Sequence, residues 1–340
     1  AVSNSIHSTQ ARFGDDVSEK GRVTVTVNTS RNKNEVWATV EDNGNGLNEK
    51  NWDAFTTTDT DNKIEIGGKG VGRLMWLDCF ESIRVKSTYT NDGSALRRKS
   101  FDFVLALDNQ IRNLSDEAIG EEVDVGFFVR FTGLRNNAYR DKFPGRDSFI
   151  FQHFTSHFLP SFIGGRSPRI QVIVGSESRD YPDAISEIVH RQDDAIDLDT
   201  AEYGVLTLTL MECSKVASSD LKGKHFVHFI AHDRTVHSQC IDGKLGLNYF
   251  GENSDRVFHA IVTGQFLDSN VNQERTAFTF EDAVIERIIN DVCSPEIEVF
   301  LEGPISELRG QQREKIEQIT ATYPSVAFGA MEELQQRVPS

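Results

Sequence analysis

Apolar and polar residues alternate along the first part of the chain in a way that predicts strands. Valines stand at every second position of Val23–Val27, and apolar residues do so again across Val36–Val40. A period of two is typical of strands with one buried face, and the polar stretch 28–34 between them favours a turn. The sequence therefore predicts a hairpin that ends at Asp42-Asn43-Gly44.

The spacing of apolar residues also predicts elements along the rest of the chain. Further strands are expected at 82–90, 100–105, 122–132, 206–210, 225–231, 234–240 and 257–267. Helices are expected at 1–13, 48–55, 71–80, 147–162 and from 281 onward, where Pro295 and Pro304 interrupt the helical spacing. The Gly164–Pro168 stretch marks a domain edge. The sequence thus predicts an α/β protein with domains at 1–165, 166–280 and 281–340.

Composition then narrows the class of protein. The chain has 340 residues, of which 38% are hydrophobic and 26% charged. A membrane helix needs about 18 consecutive apolar residues, and no stretch of the sequence approaches that, so we expect no membrane contact. The net charge of −16 repels phosphate backbones, so a nucleic-acid contact would need a local basic patch.

The cysteines and the first residues bear on the compartment. Cys79, Cys213, Cys240 and Cys293 are far apart and form no C-x-x-C pair, which is typical of reduced thiols rather than a zinc site. The first residues lack the apolar stretch of a secretory signal. We therefore expect a cytoplasmic protein.

Two glycine-rich motifs stand where the chain leaves a strand and enters a helix. Val40-Glu41-Asp42-Asn43-Gly44-Asn45-Gly46 ends the hairpin, and Gly67-Gly68-Lys69-Gly70-Val71-Gly72-Arg73 runs into the helix at 71–80. A carboxylate at a strand end can accept an exocyclic amine, and glycines let a ligand approach the backbone. N–H groups at a helix N-terminus bind phosphates. Singly, each motif also fits an ordinary turn; together they predict adenine at the first and phosphates at the second.

With Asn4 and Ser5 on the opening helix, these motifs resemble the ATP-binding domain of the GHKL superfamily, or Bergerat fold. Gyrase, the ninety-kilodalton heat-shock chaperones, histidine kinases and MutL share that domain. A second predicted sheet follows, as in the chaperone, MutL and MORC branch. The resemblance implies a two-layer Bergerat-type ATP-binding domain, then a ribosomal-protein-S5-like transducer domain and a C-terminal helical arm.

The resemblance also implies a role for each matching residue. Asn4 is expected to hold Mg²⁺ against the triphosphate, and Asp42 to contact adenine beside Gly44 and Gly46. Thr56–Arg73 is expected to form the lid and phosphate loop. Its phosphate-binding residues would be Gly67, Gly68, Lys69, Gly70, Val71 and Gly72.

Three further positions follow from the same resemblance. The family's catalytic glutamate would stand directly before Ala1. In the family's last motif Phe127 occupies the usual threonine position, and Thr132 is the expected substitute. In the transducer domain Arg275, with Gln273 as second candidate, is expected to reach the γ-phosphate and support catalysis, whereas an exposed structural turn is the alternative.

The function implied is an ATP- and Mg²⁺-dependent conformational switch or clamp that hydrolyses ATP and pairs with a second copy. Its acidic surface favours a protein client or partner complex, and related stand-alone proteins make a bacterial antiviral defence role one expectation. A nucleotide-sensing module that binds ATP without turnover is the alternative. A DNA-repair or DNA-topology subunit would need a basic groove.

Overall fold

The strands predicted from alternating residues are present in the computed structural model. It describes residues 1–57, 73–91, 95–120, 123–135, 138–163, 167–215, 223–232, 234–247, 249–272 and 277–322. The chain forms two units, Ala1–Glu187 and Ile188–Ser340. Each unit contains one sheet with helices, so the predicted α/β class is confirmed.

The first unit is an eight-stranded sheet with helices packed against one face. Its helices are α1 (Val2–Phe13), α2 (Val17–Lys20), α3 (Glu49–Thr56), α4 (Leu74–Cys79), α5 (Ala138–Lys142) and α6 (Asp147–Ile163). Its strands are β1 (Arg22–Asn28), β2 (Trp37–Asp42), β3 (Phe80–Tyr89), β4 (Arg97–Phe103), β5 (Ile111–Ala118), β6 (Gly126–Leu134), β7 (Arg169–Val174) and β8 (Glu177–Tyr181). The strand order is β5-β4-β3-β6-β2-β1-β7-β8.

Alternation explains which face of this sheet is buried. Val25 on β1 pairs with Val40 on β2, which pairs with Val129 on β6 and through it with Val85 on β3. All four side chains are buried in one core cluster. Phe151 of the aromatic helix α6 joins the same cluster. The hairpin β1–β2 and the helix α6 therefore lie where their sequence patterns predict them.

The first unit extends beyond residue 165, at which the sequence predicts a domain boundary. Arg22–Val27 of β1 pairs in parallel with Arg169–Val174 of β7, and β8 then pairs with β7. Both strands therefore complete the first sheet, and the unit ends at Glu187. The predicted boundary falls between α6 and β7, which belong to the same unit.

The second unit contains a sheet of six strands in the order β10-β11-β14-β12-β13, with β9 paired to β11. The strands are β9 (Val189–Gln192), β10 (Ile196–Thr200), β11 (Gly204–Ser214), β12 (Phe226–Ala231), β13 (Arg234–Cys240) and β14 (Arg256–Gly264). The short helices α7 (Asp242–Leu245) and α8 (Gln265–Ser269) follow β13 and β14. The strand predicted at 257–267 ends earlier, at Gly264. A side chain at this position would be too close to β11, because a Cβ would lie 2.8 Å from the Val205 carbonyl oxygen.

Helices close the described part of the chain. They are α9 (Asp282–Arg287), a π-helical turn (Ile288–Cys293), α10 (Ser294–Phe300) and α11 (Glu302–Thr322). Ile285, Ile289 and Ile297 are buried in the core of the second unit. The first part of the predicted arm 281–340 therefore belongs to the second unit. Among helices of the described residues, none is long and apolar enough to cross a membrane.

Candidate functional site

Asp42 is the last residue of β2 and begins a turn, Asp42–Gly46, hereafter the 42–46 turn. Its side chain is buried, with only 6% of its surface exposed. Its carboxylate accepts the backbone N–H of Gly44 at 2.9 Å and a hydrogen bond from the Ser5 side chain on α1. The predicted adenine contact is thus a buried carboxylate at a strand end.

The glycines of the turn are required by close packing. At Gly44 a Cβ would collide with the Ser8 hydroxyl of α1. Gly46 has φ +64°, in the left-handed region that favours glycine, and a Cβ there would meet the Thr88 carbonyl oxygen. The turn can therefore pass this close to α1 and β3 only because both positions lack a side chain.

One stripe of α1 fixes the turn. Ser5, Ser8 and Arg12 are spaced by three and four residues, so they share a helix face. The Asn45 N–H donates to the Ser8 hydroxyl at 3.0 Å, and Arg12 donates to the Asn43 carbonyl oxygen at 2.5 Å. Sequence reasoning missed Ser8 and Arg12, although the polar spacing on a predicted helix was the available signal.

Burial changes the acidity of Asp42. Desolvation raises the pKa of its carboxyl from 3.8 to about 6. The hydrogen bonds from Ser5 and Gly44 and the charge of Arg12 oppose that rise, whereas the neighbouring Glu41 adds to it. A carboxylate that has lost water gains from any additional donor, and the N–H of a ligand can supply one.

Asn4 lies on α1 immediately before Ser5, and its side chain is exposed. An exposed amide oxygen fits Mg²⁺, which prefers oxygen ligands and keeps several waters. Of the predicted site residues, Asp42, Gly44 and Gly46 lie in the 42–46 turn, and Asn4 lies on the helix whose Ser8 bonds that turn.

Other predicted residues lie outside the described residues: Gly67, Gly68, Lys69, Gly70, Val71, Gly72, Gln273 and Arg275. The chain on either side of residues 58–72 is described. Arg73 is buried, and it donates to the carbonyl oxygens of Ala54 at 3.0 Å and of Thr57 at 2.8 Å. The start of α4 is therefore bonded directly to the end of α3.

Comparisons with known proteins address the fold. No protein-family model and no curated protein matches the sequence. The solved N-terminal domain of a DNA repair protein is similar over 84% of this chain and 88% of its own, with 11% identity and a TM-score of 0.50. The Aquifex aeolicus MutL ATPase domain complexed with ADP is similar over 79% and 90%, with 13% identity and a TM-score of 0.41.

A further structure, the ATPase domain of the bacterial mismatch repair endonuclease Aquifex aeolicus MutL, is similar over 77% of this chain and 85% of its own. Its identity is 13% and its TM-score 0.40. The first of these structures shows the fold: the chain has the fold of that N-terminal domain of a DNA repair protein.

In this fold, Thr132 is not beside the predicted adenine contact. Asp42 pairs with Phe127 on β6, whereas Thr132 pairs with Trp37 at the opposite end of β2. Five residues of strand separate Phe127 from Thr132, which is about 16 Å. The expectation that Thr132 replaces the family threonine is therefore corrected: the side chain beside Asp42 on this face is Phe127.

Three polar residues, Ser87, Lys99 and Asp116, form a row across the sheet at the level of Asp42. Phe127 pairs with Ser87 on β3, Ser87 with Lys99 on β4, and Lys99 with Asp116 on β5. Ser87 is 2% exposed; it accepts the Leu47 N–H at 2.7 Å and donates to the Gly126 carbonyl oxygen at 3.0 Å. Ser87 therefore bonds the residue that directly follows the 42–46 turn.

Lys99 is the cation of that row. Its amine lies 4.2 Å from the ring centre of Trp52 on α3, 4.7 Å from that of Tyr89, and 3.6 Å from the Asp116 carboxylate. Burial lowers the pKa of Lys99. Lys99 directly precedes the predicted strand 100–105, and its two-residue spacing from Phe101, which puts both on one face of β4, was the signal in the sequence. The contact between Lys99 on β4 and Trp52 on α3 holds that helix against that strand.

The buried histidines of the second unit bond to each other and to neighbouring residues. Nε2 of His228 and Nδ1 of His259 share a hydrogen bond of 2.9 Å, and Nδ1 of His228 bonds the Ser238 hydroxyl at 2.9 Å. His225 Nδ1 accepts the Phe258 N–H at 2.8 Å. No group of three metal-binding side chains is found within the residues described. Burial lowers the pKa of His228 to about 4, so the pair is neutral at pH 7.

Proposed function

We propose that this chain binds ATP at the site formed by α1 and the 42–46 turn. The observation that carries the proposal is the buried Asp42 carboxylate at the end of β2, held between the Ser5 hydroxyl and the Gly44 N–H. A buried carboxylate favours a ligand that brings its own hydrogen-bond donor, and the exocyclic amine of adenine is such a donor. The glycines at 44 and 46 allow the turn, and with it Asp42, to lie close to α1 and β3.

The remaining parts of the nucleotide are assigned to residues predicted from the sequence. The glycines of 67–72 and Lys69 would bind the phosphates. Asn4, whose exposed amide oxygen suits a hard cation, would hold Mg²⁺. When bound, that ion neutralises charge on the phosphate oxygens. Arg275, with Gln273 beside it in the same polar segment, would contribute to hydrolysis.

The test is a calorimetric titration of ATP into the Asp42→Asn variant. Loss of a charged hydrogen-bond partner costs on the order of 1.5–3 kcal/mol, so the affinity should fall about tenfold to a hundredfold. Glu41→Gln is the matched control, since Glu41 is adjacent and exposed and loses the same charge. Equal affinities of Asp42→Asn and wild type would refute the site.

We propose hydrolysis as the outcome of binding, with the chain acting as a conformational switch that pairs with a second copy or a protein partner. Single-turnover release of phosphate tests the first part, and sedimentation with and without a non-hydrolysable ATP analogue tests the second. The acidic composition, 52 acidic against 36 basic residues, supports a protein partner over nonspecific DNA.

One observation supports the alternative, a nucleotide-sensing module without turnover. Phe127, an aromatic residue, is paired with Asp42 across β2 and β6. Cross-strand neighbours lie about 5 Å apart, so its ring borders the proposed base site and would hold a base mainly by packing. Binding of ATP with no phosphate release above the background of the Asp42→Asn variant would favour this second function.

A further inference from the structure

Arg12, in the last turn of α1, donates hydrogen bonds to carbonyl groups of two segments that are distant along the chain. Its Nη1 donates to the carbonyl oxygens of Asn43 at 2.5 Å, Val125 at 2.9 Å and Gly44 at 3.4 Å. Asn43 and Gly44 belong to the 42–46 turn, and Val125 directly precedes β6. One side chain therefore connects α1, the turn after β2 and the entry to β6.

These contacts replace hydrogen bonds that the turn cannot make within the sheet. The ladder of β1 and β2 ends at the pair Val23 and Asp42, so the carbonyl groups beyond it need other partners. All three bonds come from one nitrogen of the planar guanidinium, whose N–H groups point in fixed directions, whereas the three N–H groups of an ammonium rotate freely. Arg12 thus fixes the turn at the point where the ladder stops.

Arg12 is also the cation that acts on Asp42. Of the charged groups among the described residues, Arg12 on α1 favours the ionised carboxylate and Glu41 on β2 disfavours it. The cross-strand neighbours of Asp42, Val23 on β1 and Phe127 on β6, carry no charge. The Ser5 hydroxyl and the Gly44 N–H complete its surroundings.

We propose that Arg12 is a positioning residue of the nucleotide site. It holds the 42–46 turn against α1, and its charge favours the ionised form of Asp42, which accepts a donor from the base. This inference rests on the proposed nucleotide binding. It assigns to Arg12 two separable contributions, donated hydrogen bonds and positive charge.

The positive charge of Arg12 has a measurable consequence for nucleotide binding. The pKa of Asp42 is about 6 in the unliganded chain, and a protonated carboxyl is a poorer acceptor. Nucleotide affinity should therefore be constant above that pH and fall below it. Without the charge of Arg12 the pKa of Asp42 rises, so the fall should begin at a higher pH.

The experiment compares two substitutions that separate these contributions. Arg12→Gln keeps a hydrogen-bond donor and loses the charge, whereas Arg12→Lys keeps the charge and loses the planar guanidinium. ADP is titrated calorimetrically from pH 5.5 to 8 at constant Mg²⁺. We expect Arg12→Gln to bind about tenfold more weakly at pH 7, with its affinity falling from a higher pH than in wild type. Arg12→Lys should weaken binding without moving the pH at which the fall begins.

Arg31→Gln is the control, because Arg31 is an exposed arginine in the β1–β2 turn; its profile should be that of wild type. If the fall begins at the same pH in Arg12→Gln as in wild type, the proposal is overturned, whatever the affinity. A carbon-13 titration of the Asp42 carboxyl in the unliganded variants gives the same comparison without nucleotide. Wild-type binding that neither depends on pH nor changes in Asp42→Asn would instead refute the proposed function.

Discussion

Acidification should weaken the second unit through its buried histidine pair. His228 is 6% exposed and His259 2%, and their rings bond to each other. Burial lowers the pKa of His228 from 6.5 to about 4, and that of His259 falls further because burial and the two neighbouring histidines act in the same direction. The unfolded chain therefore binds more protons than the folded chain between pH 4 and 6.5, so stability falls as the pH falls through that range.

The magnitude follows from the shift at His228. A difference of 2.5 pKa units corresponds to about 3 kcal/mol when the change is complete, and about 2 kcal/mol of it should be lost by pH 5. His259 adds a loss of the same sign. Its Nε2 has no hydrogen-bond partner within the described structure, so a proton placed there would be a buried charge without a partner.

Hydrogen exchange of the β12 and β14 amides measures this loss locally. We expect their protection, corrected for intrinsic exchange rates, to fall between pH 7.5 and 5 by at least tenfold. The double variant His228→Gln/His259→Gln should lose most of that dependence. Equal protection at the two pH values, or an unchanged pH dependence in the double variant, would show that this histidine pair does not control the stability of the second unit.

The first unit provides an internal contrast. The pKa of Asp42 is raised, so its folded form holds a proton that the unfolded form has lost between pH 3.8 and about 6. Its contribution to stability therefore grows as the pH falls through that range and is absent at pH 7. The tryptophans, Trp37, Trp52 and Trp76, all lie in the first unit, so urea unfolding followed by their fluorescence reports this opposite trend.

Three further predictions concern single side chains. Ser87→Ala should lower the free energy of unfolding of the first unit by about 2 kcal/mol, since it leaves two backbone groups unpaired; Ser100→Ala on the next strand should have little effect in the same urea titration. Gly44→Ala should abolish nucleotide binding by displacing α1, as seen in calorimetry beside a circular dichroism spectrum that shows retained strands. Arg275→Ala should leave ADP affinity unchanged and slow single-turnover ATP hydrolysis by roughly a hundredfold, with Gln273→Ala compared in parallel; equal rates would contradict a catalytic role.

Local patterns predicted those parts of the molecule that depend on neighbours in sequence. The alternation at Val23–Val27 and the strand-end aspartate Asp42 were sufficient to place β1 and the 42–46 turn. Pairing between distant segments was not predictable in this way. Thr132 was assigned to the site because the order of motifs along the chain does not indicate which residues pair across strands. In the structure Thr132 lies five residues beyond Phe127, the partner of Asp42, and so at the other end of β6.

The same limit explains what was missed on α1 and β4. Arg12 donates to backbone carbonyl groups. Every residue has such a group, so the sequence does not indicate which of them Arg12 bonds. Lys99 occupies a core position that its charge alone would place at the surface, and only the rings of Trp52 and Tyr89 with the Asp116 carboxylate make that burial possible. Such sites are decided by tertiary surroundings rather than by local pattern.

The parallel pairing of β1 with β7 has a consequence for how the first unit can be made. Until residues 169–174 are synthesised, the N–H and C=O groups on one edge of β1 have no strand to pair with. Every second residue of this strand is also a valine that is buried in the complete unit. An unpaired strand edge of this kind pairs readily with other chains. A fragment that stops at residue 165 should therefore aggregate, whereas one that continues to Glu187 carries the strand that covers this edge.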